Sequence, residues 1–100
     1  MSEHTPDDAP VRLHAVAHGM VQGVNFRAYT QREAARLRLT GWVRNQWNGT
    51  VETVAEGPRA ALEEFERTLQ RGPPAALVDA VDVTYSEATG EFGGFNIRYW

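Results

Sequence analysis

Cysteine is absent from this sequence, and so is lysine: all ten basic residues are arginine. Without cysteine there is no disulfide, no thiolate metal site and no thiol nucleophile. Without lysine there is neither a Walker-type phosphate loop nor Schiff-base chemistry. Serine occurs only at Ser2 and Ser86, which leaves little from which to build a serine triad. His4, His14 and His18 do not read as a metal-ligand set, and beyond residue 10 the acids form no Asp-x-Asp pair. Chemistry on phosphate in such a chain is expected to need no covalent intermediate, no metal and no cofactor. No apolar run is long enough to span a bilayer, and the N-terminus lacks the basic-then-apolar pattern of a secretion signal. The expected location is therefore the cytoplasm, with no membrane partner.

Net positive charge is missing too. The formal charge of −3 lies in residues 1–10, which hold Glu3, Asp7 and Asp8; the remainder balances ten arginines against ten acids. No global field draws nucleic acid to this surface, so any anion site must be local.

What is present is one domain's worth of alternating and helical pattern. Residues 1–10, with Pro6 and Pro10, read as a disordered acidic tail, and residues 11–100 as the domain. Val11–Ala17 alternates as a strand with Leu13, Ala15 and Ala17 on one face. Phe26–Leu39 places Phe26, Thr30, Ala34 and Leu37 on one helical stripe, with Gly41 as the stop signal. Trp42–Gln46 and Thr50–Glu56 flank Trp47-Asn48-Gly49, a hairpin signal in which Asn and Gly both tolerate positive φ. Pro58 suits the first turn of a second helix with Leu62, Phe65 and Leu69 on its stripe, ended by Gly72-Pro73-Pro74. Ala80–Tyr85 and Phe95–Tyr99 alternate again. The order β-α-β-β-α-β predicts a ferredoxin-like α+β sandwich, an antiparallel sheet with two helices on one face.

The stretch Gly19-Met20-Val21-Gln22-Gly23-Val24-Asn25-Phe26-Arg27 joins the first strand to the first helix. A glycine-bearing turn leaves backbone N–H groups unpaired, and a helix N-terminus adds partial positive charge. Arg27 adds a permanent cation with a planar fork of donors. Together these suit a tetrahedral oxyanion such as phosphate. From these features alone, a structural turn with a surface arginine fits as well.

The same nine residues resemble the first signature of the acylphosphatase family, G-x-V-Q-G-V-x-F-R. Gly41-Trp42-Val43-Arg44-Asn45-Gln46-Trp47-Asn48-Gly49-Thr50-Val51, continuing to Gly57, resembles its second signature, and Gly94–Tyr99 is similar to its last strand. The likeness covers residues 11–100. Two positions depart from the pattern: Ala17, where a larger aliphatic is favoured, and Asn48, where Asp is commonest. The resemblance implies hydrolysis of acyl phosphates to a carboxylate and inorganic phosphate (EC 3.6.1.7). Carried across by position, it implies that Arg27 binds the phosphoryl group and Asn45 holds the attacking water. The amides of Met20, Val21, Gln22, Gly23, Val24, Asn25 and Phe26 would complete the cradle, and Gln22 would brace it. The expected partner is a small-molecule acyl phosphate, with no nucleic acid, and the chain is expected to act as a monomer.

The chemistry agrees with the absences. The leaving carboxylate has a pKa of about 4 and departs unprotonated, so no general acid is needed. Phosphoryl transfer passes through a loose transition state, stabilised mainly by positioning and electrostatics. His18 is expected to be an exposed strand-end residue, Arg44 to face away from Asn45, Trp42 to lie in the core, and Trp47 to line the site mouth, while Trp100 is open to a stacking role. A non-catalytic anion-binding module on the same fold is the competing reading. An RNA-binding domain of this topology is disfavoured, because the central strands lack a stacking aromatic triplet.

Overall fold

The computed structural model describes residues 9–99. Five strands and two helices follow in the order β1 (Pro10–Met20), α1 (Phe26–Arg36), β2 (Thr40–Asn45), β3 (Val51–Pro58), α2 (Arg59–Arg71), β4 (Leu77–Glu87) and β5 (Phe95–Arg98). The acidic tail expected over residues 1–10 falls, up to residue 8, outside the described residues, and Pro10 already belongs to β1.

The sheet order is β4-β1-β3-β2-β5. Strands β1 and β3, β1 and β4, and β2 and β3 pair antiparallel, as the element order predicts, but β5 runs parallel to β2. The physical reason is the path of the chain. Strand β4 occupies one edge of the sheet, and residues 88–94 cross its end to the opposite edge. That crossing spans four strand spacings, roughly 19 Å, within the reach of seven extended residues. It delivers β5 beside β2 in the same direction, and the result is a ferredoxin-like α+β fold with a mixed sheet.

One buried carboxylate anchors the crossing. Glu56, 4% exposed at the end of β3, accepts hydrogen bonds from the amides of Thr89 (2.9 Å) and Gly90 (3.0 Å) and from Arg12 Nε (2.7 Å). Burial pushes its pKa up, but these donors outweigh that and hold it below the ordinary carboxylate value.

Strand parity sets the core. Leu13, Ala15 and Ala17 of β1, Val43 of β2, and Val51 and Ala55 of β3 point to the helices and are buried. Helix α2 contributes Leu62, Phe65 and Leu69 as its stripe predicts. Helix α1 contributes Phe26, Thr30 and Ala34, and also Tyr29, whose hydroxyl donates to the Thr68 carbonyl at 2.8 Å and ties the two helices together.

Four local expectations change. Helix α1 ends at Arg36 rather than Leu39. Arg38 takes φ 60°, and the amides of Arg38 and Leu39 donate to the carbonyls of Ala35 and Ala34, a Schellman closure without glycine. Gly41 lies inside β2. Pro58 ends β3 in extended geometry and caps α2, which begins at Arg59. In the hairpin only Gly49 takes positive φ; Asn48 instead accepts from the Thr50 amide (3.1 Å) and hydroxyl (2.6 Å). Such side-chain bonding gives Asn a route to turn formation that needs no left-handed backbone.

Candidate active site

The cradle loop follows Met20, just beyond the point where the pairing of β1 with β4 shifts register between His18 and Gly19. A side chain at Gly19 would put Cβ 2.2 Å from the Leu77 carbonyl oxygen, so the strand can approach β4 here only as glycine. Val21 and Phe26, 1% and 2% exposed, anchor the two ends of the loop in the core. Between them Gly23 (φ 76°) and Asn25 (φ 65°) take left-handed backbone, which turns successive amides to one side. Among the described residues the amides of residues 22–27 have no acceptor. They sit at the N-terminus of α1, where the helix dipole also favours an anion.

Gln22 does not point into this cradle. Its carboxamide nitrogen donates to the carbonyls of Gln46 (2.7 Å) and Thr50 (2.8 Å), bracing the loop against the β2–β3 turn. Asn45 is the last residue of β2, on the same side of the strand as buried Val43. Arg27 is the second residue of α1, and its guanidinium carbon lies 4.8 Å from the centre of the Tyr99 ring.

A cavity of about 290 Å³ brings these together: Gly23, Asn25, Arg27, Asn45 and Tyr99 all line it. Val21 and Phe26 contribute to the same wall. Met20 and Val24 do not; Met20 is the exposed end of β1, and Val24 packs against the core. A larger cavity, about 690 Å³, shares Asn45 and Tyr99 as lining and is bordered also by Gln22, Gln46 and Trp47. Among the described residues no three His, Cys, Asp or Glu side chains gather as a metal-ligand cluster, and no helix is long and apolar enough to cross a membrane.

The acylphosphatase family model matches residues 13–97. The chain belongs to the acylphosphatase family. It is 49% identical over 88 residues to the acylphosphatase of Pelotomaculum thermopropionicum, covering 88% of this chain and 96% of that one. The crystal structure of acylphosphatase from Bacillus subtilis superposes with a TM-score of 0.86 at 38% identity, over 89% of this chain and 99% of that one. An acylphosphatase from Coxiella burnetii gives 0.85 at 33% identity, over 97% and 100%. The enzyme is thus an acyl phosphate hydrolase, EC 3.6.1.7.

Seen as an acylphosphatase, the chain keeps its other polar side chains away from the cradle. Arg44 faces the open side of the sheet, where Glu52 Oε1 accepts from its Nε at 2.7 Å. Burial pushes the Glu52 carboxyl up, but bonds from His14 and Arg44 bring its pKa below the ordinary value. His18 is half-exposed and meets Asp82 at 2.9 Å. Trp42, expected in the core, lies on the open face between Arg44 (5.4 Å) and Arg98 (4.7 Å), because Gly41, Val43 and Asn45 hold the helix-facing parity of β2. Trp47 is fully exposed at the hairpin tip and lines the larger cavity; Trp100 is outside the described residues. Sequence reasoning missed Tyr99 as a wall of the site. Its only signal was an aromatic at the end of the last strand, and nothing local to β5 reveals that β2 is its neighbour.

Proposed function

We propose that the enzyme cleaves acyl phosphates by direct attack of water on phosphorus, with Arg27 and the loop amides holding the phosphoryl group and Asn45 orienting the water. The new P–O bond forms to water and the bond between phosphorus and the acyl oxygen breaks. Its electron pair leaves on the carboxylate, and the water proton passes to a phosphate oxygen. Asn45 can orient a water through its carbonyl but does not titrate near neutral pH, so it is not a base. The cation and fixed N–H donors stabilise charge on the equatorial oxygens, where most of the barrier is lowered. The supporting observation is that Arg27, Asn45 and unpaired loop amides border one small cavity.

The test is a metal-free assay with acetyl phosphate. Asn45→Ala is expected to lower kcat by about 100- to 1000-fold, the usual cost of one well-placed polar group at a reacting centre. Arg27→Gln is expected to raise both KM and the inhibition constant of inorganic phosphate. Full activity in either variant, or an enzyme base titrating near neutrality in the pH profile, overturns the reading.

A further inference from the structure

An arginine at the start of a helix is poorly placed on electrostatic grounds, since the dipole there repels a cation. Its long side chain also carries about 2 kcal/mol of rotamer entropy. Arg12, Arg36, Arg44 and Arg59 are held by carboxylates. Among the described residues no carboxylate pairs with Arg27 and no acceptor takes its N–H groups; its guanidinium carbon instead sits 4.8 Å from the Tyr99 ring centre. A carboxylate would fix the guanidinium by occupying its edge and cancelling its charge. An aromatic face attracts the cation through the ring quadrupole and leaves the edge donors free.

We infer that Tyr99 is a positioning residue for phosphate binding: its ring face holds the Arg27 guanidinium so that the edge N–H donors remain available to the phosphoryl oxygens. The inference rests on the proposed role of Arg27. The contact is made at the end of β5, whose parallel register with β2 (Val43 beside Ile97, Arg44 beside Arg98) carries Tyr99 alongside Asn45. Tyr99 lines the same cavity as Arg27 and Asn45 while remaining 75% exposed, so it bears little of the core. Its hydroxyl makes no bond among the described residues, which assigns the work to the ring.

The experiment compares Tyr99→Phe and Tyr99→Leu in the full chain, with acetyl phosphate as substrate and inorganic phosphate as inhibitor. Loss of one exposed cation–π contact corresponds to about a two- to fivefold weakening. Tyr99→Leu is expected to raise KM and the phosphate inhibition constant together by that factor, with kcat less affected, while Tyr99→Phe restores both. In an Arg27→Gln background Tyr99→Leu is expected to have no further effect, because the contact is already gone. An undiminished effect of Tyr99→Leu in that background, or none in the wild type, overturns the inference while leaving the role of Arg27 standing. If Arg27→Gln alone binds phosphate as well as the wild type, the underlying reading fails, and the positioning role with it.

Discussion

The carboxamide of Gln22 donates to the Gln46 carbonyl at 2.7 Å, and through a second bond to Thr50 at 2.8 Å it ties the cradle loop to the turn that follows Asn45. The two halves of the site thus hang on one side chain, 24 residues from its first partner. A glutamine suits the position because its NH₂ offers two donors to two carbonyl oxygens.

Gln22→Ala is expected to cost about 1 kcal/mol of stability by removing two hydrogen bonds, the Gln46 and Thr50 carbonyls each keeping one backbone donor, from Gly49 and Gln46. Gln22→Glu sets a carboxylate against two acceptors and is expected to destabilise more. Urea denaturation orders the variants. Because loop and turn lose their common register, kcat for acetyl phosphate is expected to fall in parallel. Equal stability of the glutamate variant and wild type would show that the brace contributes nothing.

Glu56 ties the opposite end of the sheet. Removing it in Glu56→Ala strands the amides of Thr89 and Gly90 and takes one partner from Arg12, which keeps the Thr89 hydroxyl and Glu91, and is expected to cost about 2–3 kcal/mol at neutral pH. Its folded pKa is depressed, so its stabilising contribution is full above the unfolded value, about 4.3, and is lost as pH falls through the folded one. The stability gap between wild type and Glu56→Ala is therefore expected to shrink on acidification below about pH 4. Chemical denaturation at pH 7, 4 and 3 measures it; a gap independent of pH contradicts the assignment.

Arg38 closes helix α1 with φ 60°, a left-handed geometry that costs a residue with a Cβ roughly 1–2 kcal/mol. Arg38→Gly is expected to stabilise the fold by about 1 kcal/mol, part of that gain being offset by the greater freedom of glycine in the unfolded chain. The readout is the denaturant midpoint, and a lower midpoint in Arg38→Gly would contradict it.

Much of this architecture was legible from period alone. The alternation of Leu13, Ala15 and Ala17 names the buried face of β1, and the spacing of Leu62, Phe65 and Leu69 names that of α2. The errors have local causes. Arg38 carries no preference for left-handed backbone, so the nearest glycine, Gly41, is a misleading signal for the end of α1. The hydrophobicity of Trp42 predicts the core, but the parity of β2, set by Val43, turns it to the open face. Hydrophobicity tells which residues gain by burial; only the partner strand fixes which face is covered.

The sequence by itself determined the chemistry available. With no lysine or cysteine and scarcely any serine, it excludes the covalent routes those residues offer, and the resemblance of its two signatures points to Arg27, Asn45 and the loop amides as the proposed site. The order of elements determined the sandwich. Only the tertiary structure decided that β5 lies parallel to β2, that Arg27 and Asn45 share a cavity, and that Tyr99 stacks on Arg27. Local propensity acts over a few residues, whereas these contacts join segments separated by most of the chain. Strand order, set by how residues 88–94 cross the sheet, brings them together.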